Sequence, residues 1–244
     1  MCLIVFAYRT HPRFPLIVVA NRDEFLARPT APASFWDDAP DILAGRDLCA
    51  GGTWLGVTRQ GRFAALTNYR DLRKPRPKNA PSRGELVVRA LKGEMDPEET
   101  RRYDGFNVLF GTADDLRYHN NINGAFALVE PGIHGLSNHL LNTPWPKVTS
   151  TKHAFTKAIE RDRPDVDALF GILKDGHVAA DEQLPDTGLD IVRERALSAA
   201  FIVTEGYGTR CSTVVLVDHD GRVHFEERTW QPLGTAQHTF TITT

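Results

Sequence analysis

Cys2-Leu3-Ile4-Val5-Phe6-Ala7-Tyr8, a polar stretch through Pro12 and Pro15, then Leu16-Ile17-Val18-Val19-Ala20 running into Asn21-Arg22-Asp23-Glu24: this opening segment sets the fold. Two short apolar runs rich in β-branched residues around a turn predict a buried hairpin. With the turn centred near Pro12, paired positions sum to about 24, so Cys2 is expected across from Arg22.

That pairing has chemical consequences. An initiator methionine is commonly removed when the next residue is small, which would leave an amine and a thiol on Cys2. The two groups ordinarily titrate near 7.7 to 8.0 and about 8.5, close enough for proton transfer, and a nearby guanidinium favours the thiolate. A nucleophile activated by an N-terminal amine is an established catalytic device. The competing reading is that Cys2 is a small buried hydrophobe in an edge strand.

Beyond the tetrad, several blocks recur in order: Gly45-Arg46-Asp47, Gly51-Gly52-Thr53-Trp54-Leu55-Gly56, Leu66-Thr67-Asn68-Tyr69-Arg70, Leu136-Ser137-Asn138, Thr143-Pro144-Trp145-Pro146-Lys147 and Thr209-Arg210. Together with Asn21-Arg22-Asp23-Glu24, they make the chain resemble the NRDE-motif family, also called the transport-and-Golgi-organisation family. The resemblance implies the α+β fold of the N-terminal-nucleophile hydrolases, an αββα layered sandwich. It also implies an amidohydrolase-like chemistry with Cys2 as nucleophile and Asn68 as oxyanion donor. In this reading Arg22 and Asp23 position nucleophile and substrate, while Asn21, Glu24, Arg70 and Arg210 contact the substrate. Members of the family have been linked to haem and lipid handling, so the resemblance equally implies an alternative: a non-catalytic carrier of haem, a lipid or an acyl-CoA.

Asn68 also has a register argument behind it. A two-residue turn at Gln60-Gly61 would make paired positions sum to about 121, setting Leu55 against Leu66, with Asn68 at the strand end on the Leu66 face. A neutral amide held by a rigid sheet is a good oxyanion donor. Asn138 is a second candidate of this kind; either asparagine could instead cap a turn.

Composition narrows the classes. At 244 residues the chain can bury a sizeable core, and with no composition break a single domain over 1–244 is expected. A formal charge of -2 gives no basic face for nucleic acid. Cys2, Cys49 and Cys211 include no Cys-x-x-Cys unit, which fits a reducing compartment. No apolar run approaches the ~20 residues of a membrane helix, so membrane insertion is not expected. The opening apolar run lacks a basic leader, so a cytoplasmic protein is expected. The histidines show no His-Glu-x-x-His spacing, and no metal site is expected. The expected partner is a small amide, acyl or haem-like ligand, without a bound cofactor.

Along the chain, Pro29, Pro32 and Pro40 with Gly45, Gly51 and Gly52 predict a long irregular stretch. Arg70 to Arg83, with interleaved prolines, predicts a stiff basic loop, either solvated or recruiting an anionic group such as a carboxylate, phosphate or acyl-CoA head group. Ser82-Arg83-Gly84-Glu85 has capping-box spacing ahead of a helix ending at Gly93. Strands follow near 106–110, 116–119 and 125–129, helices between Pro146 and Ala200, and closing strands at 201–204, 211–217 and 223–230.

Overall fold

The computed structural model describes residues 2–243. Strands β1 (Cys2–Tyr8) and β2 (Leu16–Phe25) pair antiparallel from Cys2 against Arg22 to Tyr8 against Leu16, the register expected from the turn centre. Their unbroken apolar runs have a physical reason: both faces are covered. Ile4, Phe6, Val18 and Ala20 face a core shared with the second sheet, whereas Leu3, Val5, Ile17 and Val19 pack against helices.

The first sheet runs β10 (Gly132–Leu136), β1, β2, β12 (Tyr207–Val217), β13 (Arg222–Trp230) and β14 (Leu233–Thr241), with β11 (Val203–Thr204) beside β12. The second is a meander in chain order: β3 (Thr30–Trp36), β4 (Ala39–Asp47), β5 (Leu55–Thr58), β6 (Phe63–Asn68), β7 (Phe106–Gly111), β8 (Leu116–Asn120) and β9 (Phe126–Leu128). Helix α1 (Gly84–Lys92) covers the second sheet with Leu86, Val87, Ala90 and Leu91. On the other side α2 (Pro146–Ala158) and α3 (Val166–Leu173) cover the first. A short α4 (Ile191–Ala196) follows. The result is the αββα order of layers. No helix among the described residues is long and apolar enough to cross a membrane.

Four expectations need correction. The proline-rich stretch after Pro29 is not irregular but forms the β3–β4 hairpin; β3 is an edge strand, and Pro32 falls in the register shift between Ala31 and Ser34, where no ladder bond is lost. The β5–β6 turn has three residues, Arg59-Gln60-Gly61. Gly61 adopts φ 79° and Thr58 N–H donates to the Arg62 carbonyl, so Leu55 pairs with Ala65 rather than Leu66. Asn68 nevertheless ends β6, two positions from Leu66 and hence on its face. The capping box does not form: Arg83 is the N-cap of α1 and no side chain caps it. Finally, β10 and β14, which sequence periodicity did not flag, pair with β1 and β13.

Candidate active site

Where the N-terminal hairpin meets the end of β6, Cys2, Arg22, Asp23, Glu24 and Asn68 border one cleft of about 650 Å³. Alternation along β2 separates the tetrad. Arg22 follows Ala20 and Val18 to the face between the sheets, and Asn21 and Asp23 follow Val19 to the helical face.

Arg22 is buried on the same face as Cys2. Its Nη1 donates to Thr30 Oγ1 at 2.9 Å, its Nη2 lies 3.8 Å from Glu24 Oε2, and its Cζ stands 4.1 Å over the Trp54 ring. Trp54 can occupy that place because residue 45 is glycine; a Cβ there would run into the indole. The Gly-Gly-Thr-Trp block and Gly45 thus build the platform under the arginine.

Cys2 is 9% exposed. The thiol expected to be acidified is instead pushed up: burial dominates and the Asp23 charge adds to it, while Arg22 and the Asp23 backbone N–H pull the other way. The guanidinium acts as foreseen, but desolvation outweighs it.

Asp23 is buried, and its Oδ1 accepts from Thr209 Oγ1 at 2.7 Å. Its backbone carbonyl accepts from the Tyr207 hydroxyl at 3.2 Å. Burial raises the Asp23 carboxyl and Lys147 is the strongest opposing influence. A bulge in β12 sets this up, placing Thr209 opposite Asp23 and Cys211 opposite Arg22 with Arg210 as the extra residue.

The Leu136-Ser137-Asn138 block joins the sheets. Ser137 Oγ donates to the Cys2 carbonyl at 3.1 Å, and Asn138 Nδ2 donates to the Asn68 carbonyl at 2.9 Å. Two neighbouring residues therefore fix a cysteine on one sheet relative to an asparagine on the other.

Residues 1–232 match the family model described as Transport and Golgi organisation 2. The chain belongs to this family. It is 39% identical to the Transport and Golgi organization protein 2 homolog of Bos taurus, over 93% of this chain and 92% of that one. Against the Homo sapiens homolog the identity is 37% over the same shares. Among solved structures, a Caenorhabditis elegans N-acylethanolamine-hydrolyzing acid amidase (NAAA) ortholog superposes with a TM-score of 0.51 at 8% identity, over 88% of this chain and 92% of that one. The fold is that of the N-terminal-nucleophile hydrolases.

Within this family member, several residues expected at the substrate lie elsewhere. Asn21 is buried against the helical layer, its Nδ2 donating to the Leu173 and Ala200 carbonyls at 2.8 and 2.7 Å and its Oδ1 accepting from Ser212. It holds strand to helix, its amide fully engaged there, and it is not among the residues that border the cleft. Asn138 is fully buried, its amide occupied by the Asn68 carbonyl, so it supports the candidate oxyanion donor from below. Arg210 donates to the Leu26 carbonyl at 2.8 Å and borders a separate hollow with Cys211 and Glu227, not the Cys2 cleft. Arg70 is buried under Trp145 and pairs with Glu194 at 2.8 Å; it anchors the basic loop rather than fronting the cleft.

The loop itself is only partly solvated. Arg83 donates to the Gly105 carbonyl at 3.0 Å, and both Arg83 and Arg76 lie near Asp104, at 3.4 and 3.6 Å, on the cleft rim.

Sequence reasoning named no role for Lys147, Thr209, Tyr207, Ser137 or Trp54. Lys147 carried a signal. A lysine directly after Pro146 in the first turn of a helix opposes the helix dipole, so local stability does not account for it.

Proposed function

We propose that this protein is a cysteine-dependent amidohydrolase-like enzyme acting on a small amide or acyl substrate at the Cys2 cleft, and that it works in the cytoplasm. The Cys2 sulfur attacks the acyl carbon, forming a C–S bond; the C–N bond breaks, the leaving amine takes the thiol's proton, and water then hydrolyses the thioester. Asn68 donates to the oxyanion, and Arg22, with Glu24 beside it, sets the charge around the sulfur. The observation carrying this reading is that the cross-strand neighbours Cys2 and Arg22 border one cleft together with Asn68. The proton acceptor in this reading is the Cys2 amine freed by removal of Met1, a residue outside those described. Cys2, Cys49 and Cys211 form no disulfide, in keeping with a reducing compartment.

The test is a panel of small amides and acyl esters, with an N-acylethanolamine among them because the structural neighbour is an N-acylethanolamine-hydrolyzing amidase ortholog. Turnover by the native protein that Cys2→Ala abolishes supports the reading. Hydrolysis unaffected by that change excludes it.

A carrier of haem, a lipid or an acyl-CoA is the second reading, favoured by the low exposure of Cys2 and the upward push on its thiol. Saturable ligand binding unchanged in Cys2→Ala, with no turnover across the panel, is the outcome it requires.

A further inference from the structure

The Cys2 cleft has a neighbour. Beneath the basic loop lies a second hollow of about 480 Å³, whose border includes Tyr69, Lys74, Pro75 and Pro77. Phe25, Asn68, Arg76, Arg83 and Asp104 border both spaces. The candidate oxyanion donor and two arginines therefore stand where cleft and hollow adjoin.

Charge is not balanced at this junction. In the cleft itself Arg28 pairs with Asp47 at 2.7 Å, and Arg22 lies 3.8 Å from Glu24. Among the described residues, the one carboxylate within 4 Å of either Arg76 or Arg83 is that of Asp104. Both approach the same oxygen, Oδ2, which is 3.4 Å from Arg83 Nη1 and 3.6 Å from Arg76 Nε. Its other oxygen, Oδ1, accepts the Gly105 N–H. Lys74, with Nζ 5.3 Å from the centre of the Tyr69 ring, has no carboxylate within 4 Å among the described residues. Three cations thus share one acid. The whole chain carries a formal charge of -2, so this surplus is local.

Donors are left over as well. Among the described residues the Arg83 side chain hydrogen-bonds through Nη1 alone, to Asp104 and to the Gly105 carbonyl at 3.0 Å, and Arg76 makes no side-chain hydrogen bond. A guanidinium carries five N–H groups in a planar fork that matches the oxygens of a carboxylate or a phosphate. Arg83 is not simply dissolved in water: its side chain is 25% exposed, against 70% for Arg76. Burial pulls the Arg83 pKa down; Asp104 opposes this, and the like charge of Arg76 adds to it. An anion between the two arginines relieves that repulsion and takes up the free N–H groups. Pro75, Pro77 and Pro81 stiffen the loop, which lowers the cost of ordering it around a ligand.

We propose that Arg76 and Arg83, with Lys74, form a binding subsite for a carboxylate or phosphate group on the ligand of the Cys2 cleft. The inference rests on the reading of that cleft as the ligand site, and it narrows the substrate to an amide or acyl compound that carries an anionic group. It does not require turnover.

The first measurement is thermal unfolding of the full chain near pH 7.5 in sodium phosphate, in sodium glutarate and in sodium chloride, all at equal ionic strength. Phosphate or glutarate is expected to raise the native midpoint above that in chloride, saturably with concentration, and the rise is expected to be lost in the Arg76→Gln, Arg83→Gln double variant. The anion that acts at the lower concentration tells phosphate from carboxylate. No rise with either anion, or the same rise in the variant, overturns the subsite. If the double variant does not fold, Lys74→Gln with Arg76→Gln replaces it, both being exposed positions. The rise must then shrink, and an unchanged rise overturns the subsite.

The second measurement compares an N-acylglycine with the matching N-acylethanolamine, a pair that differs by a carboxylate against a hydroxymethyl group. Removing the two guanidiniums is expected to raise KM for the N-acylglycine by about tenfold more than for its neutral partner. Equal effects on the two compounds overturn the anionic subsite. Turnover of neither compound sinks the enzyme reading, whereas anion binding is decided by the unfolding series, which uses no substrate.

Discussion

Asn138 Nδ2 donates across 2.9 Å to the backbone carbonyl of Asn68, bridging the ends of the two sheets. The adjacent Ser137 holds the carbonyl of Cys2 in the same way. The placement of the candidate nucleophile relative to the candidate oxyanion donor is thus fixed by a third strand end, not by either sheet alone.

Asn138→Ala removes the buried donor and leaves the Asn68 carbonyl without it. The expected cost is about 1–3 kcal/mol, read as a lower urea midpoint with an unchanged slope. If Asn68 is the oxyanion donor, the same variant lowers kcat more than it alters KM. A variant as stable as the native chain would mean that the bridge contributes little.

Arg22→Met keeps an unbranched side chain at this buried position but removes the positive charge, and with it the guanidinium stacked over Trp54, beside Cys2. Arg22 pulls the thiol pKa down, so its loss raises it. The expected outcome is slower alkylation of Cys2 at neutral pH, by about tenfold for each unit of upward shift. Stopped-flow or quenched alkylation across a pH series measures it; equal rates would show that Arg22 does not tune the sulfur.

The Arg70–Glu194 pair is buried on both sides. Removing one partner strands a charge, so Arg70→Met is expected to cost about 3–5 kcal/mol. Arg70→Met combined with Glu194→Gln should recover much of that loss, a coupling that a double-mutant cycle by denaturant unfolding reads directly.

Asp47 gives a pH dependence of known sign. Burial pushes its carboxyl up, but bonds from Arg28 at 3.1 and 2.7 Å, with the Cys49 N–H, bring it below the ordinary carboxylate range. A depressed folded-state pKa stabilises the protein above the unfolded value of about 3.9, and that stabilisation is lost as pH falls through the folded one. Asp47→Asn should lower the unfolding midpoint at neutral pH and narrow the gap to the native chain below about pH 4. The comparison is a pair of melting curves at each pH.

Local pattern carried some of this and could not carry the rest. In β5–β6 the glycine at 61 announced a turn, yet not whether the loop has two residues or three, because both place a glycine at positive φ. In β3 the prolines read as a loop, since only the finished sheet shows that the strand lies at an edge.

The sequence by itself determined the N-terminal hairpin and its register, hence the neighbours Cys2 and Arg22, because a side-chain period of two and a single turn leave little freedom. It also determined, through its ordered blocks, membership of the family and the layered fold. Only the tertiary structure decided which layer each member of the tetrad faces and which distant residues meet it. Asn21 went to the helices and Arg22 to Trp54, while Asp23 came to Thr209 and within the field of Lys147, more than a hundred positions away in sequence. Alternation along a strand says that neighbours part company; what waits on each side depends on long-range packing, and so does desolvation, which overrode the effect of Arg22 on the Cys2 thiol.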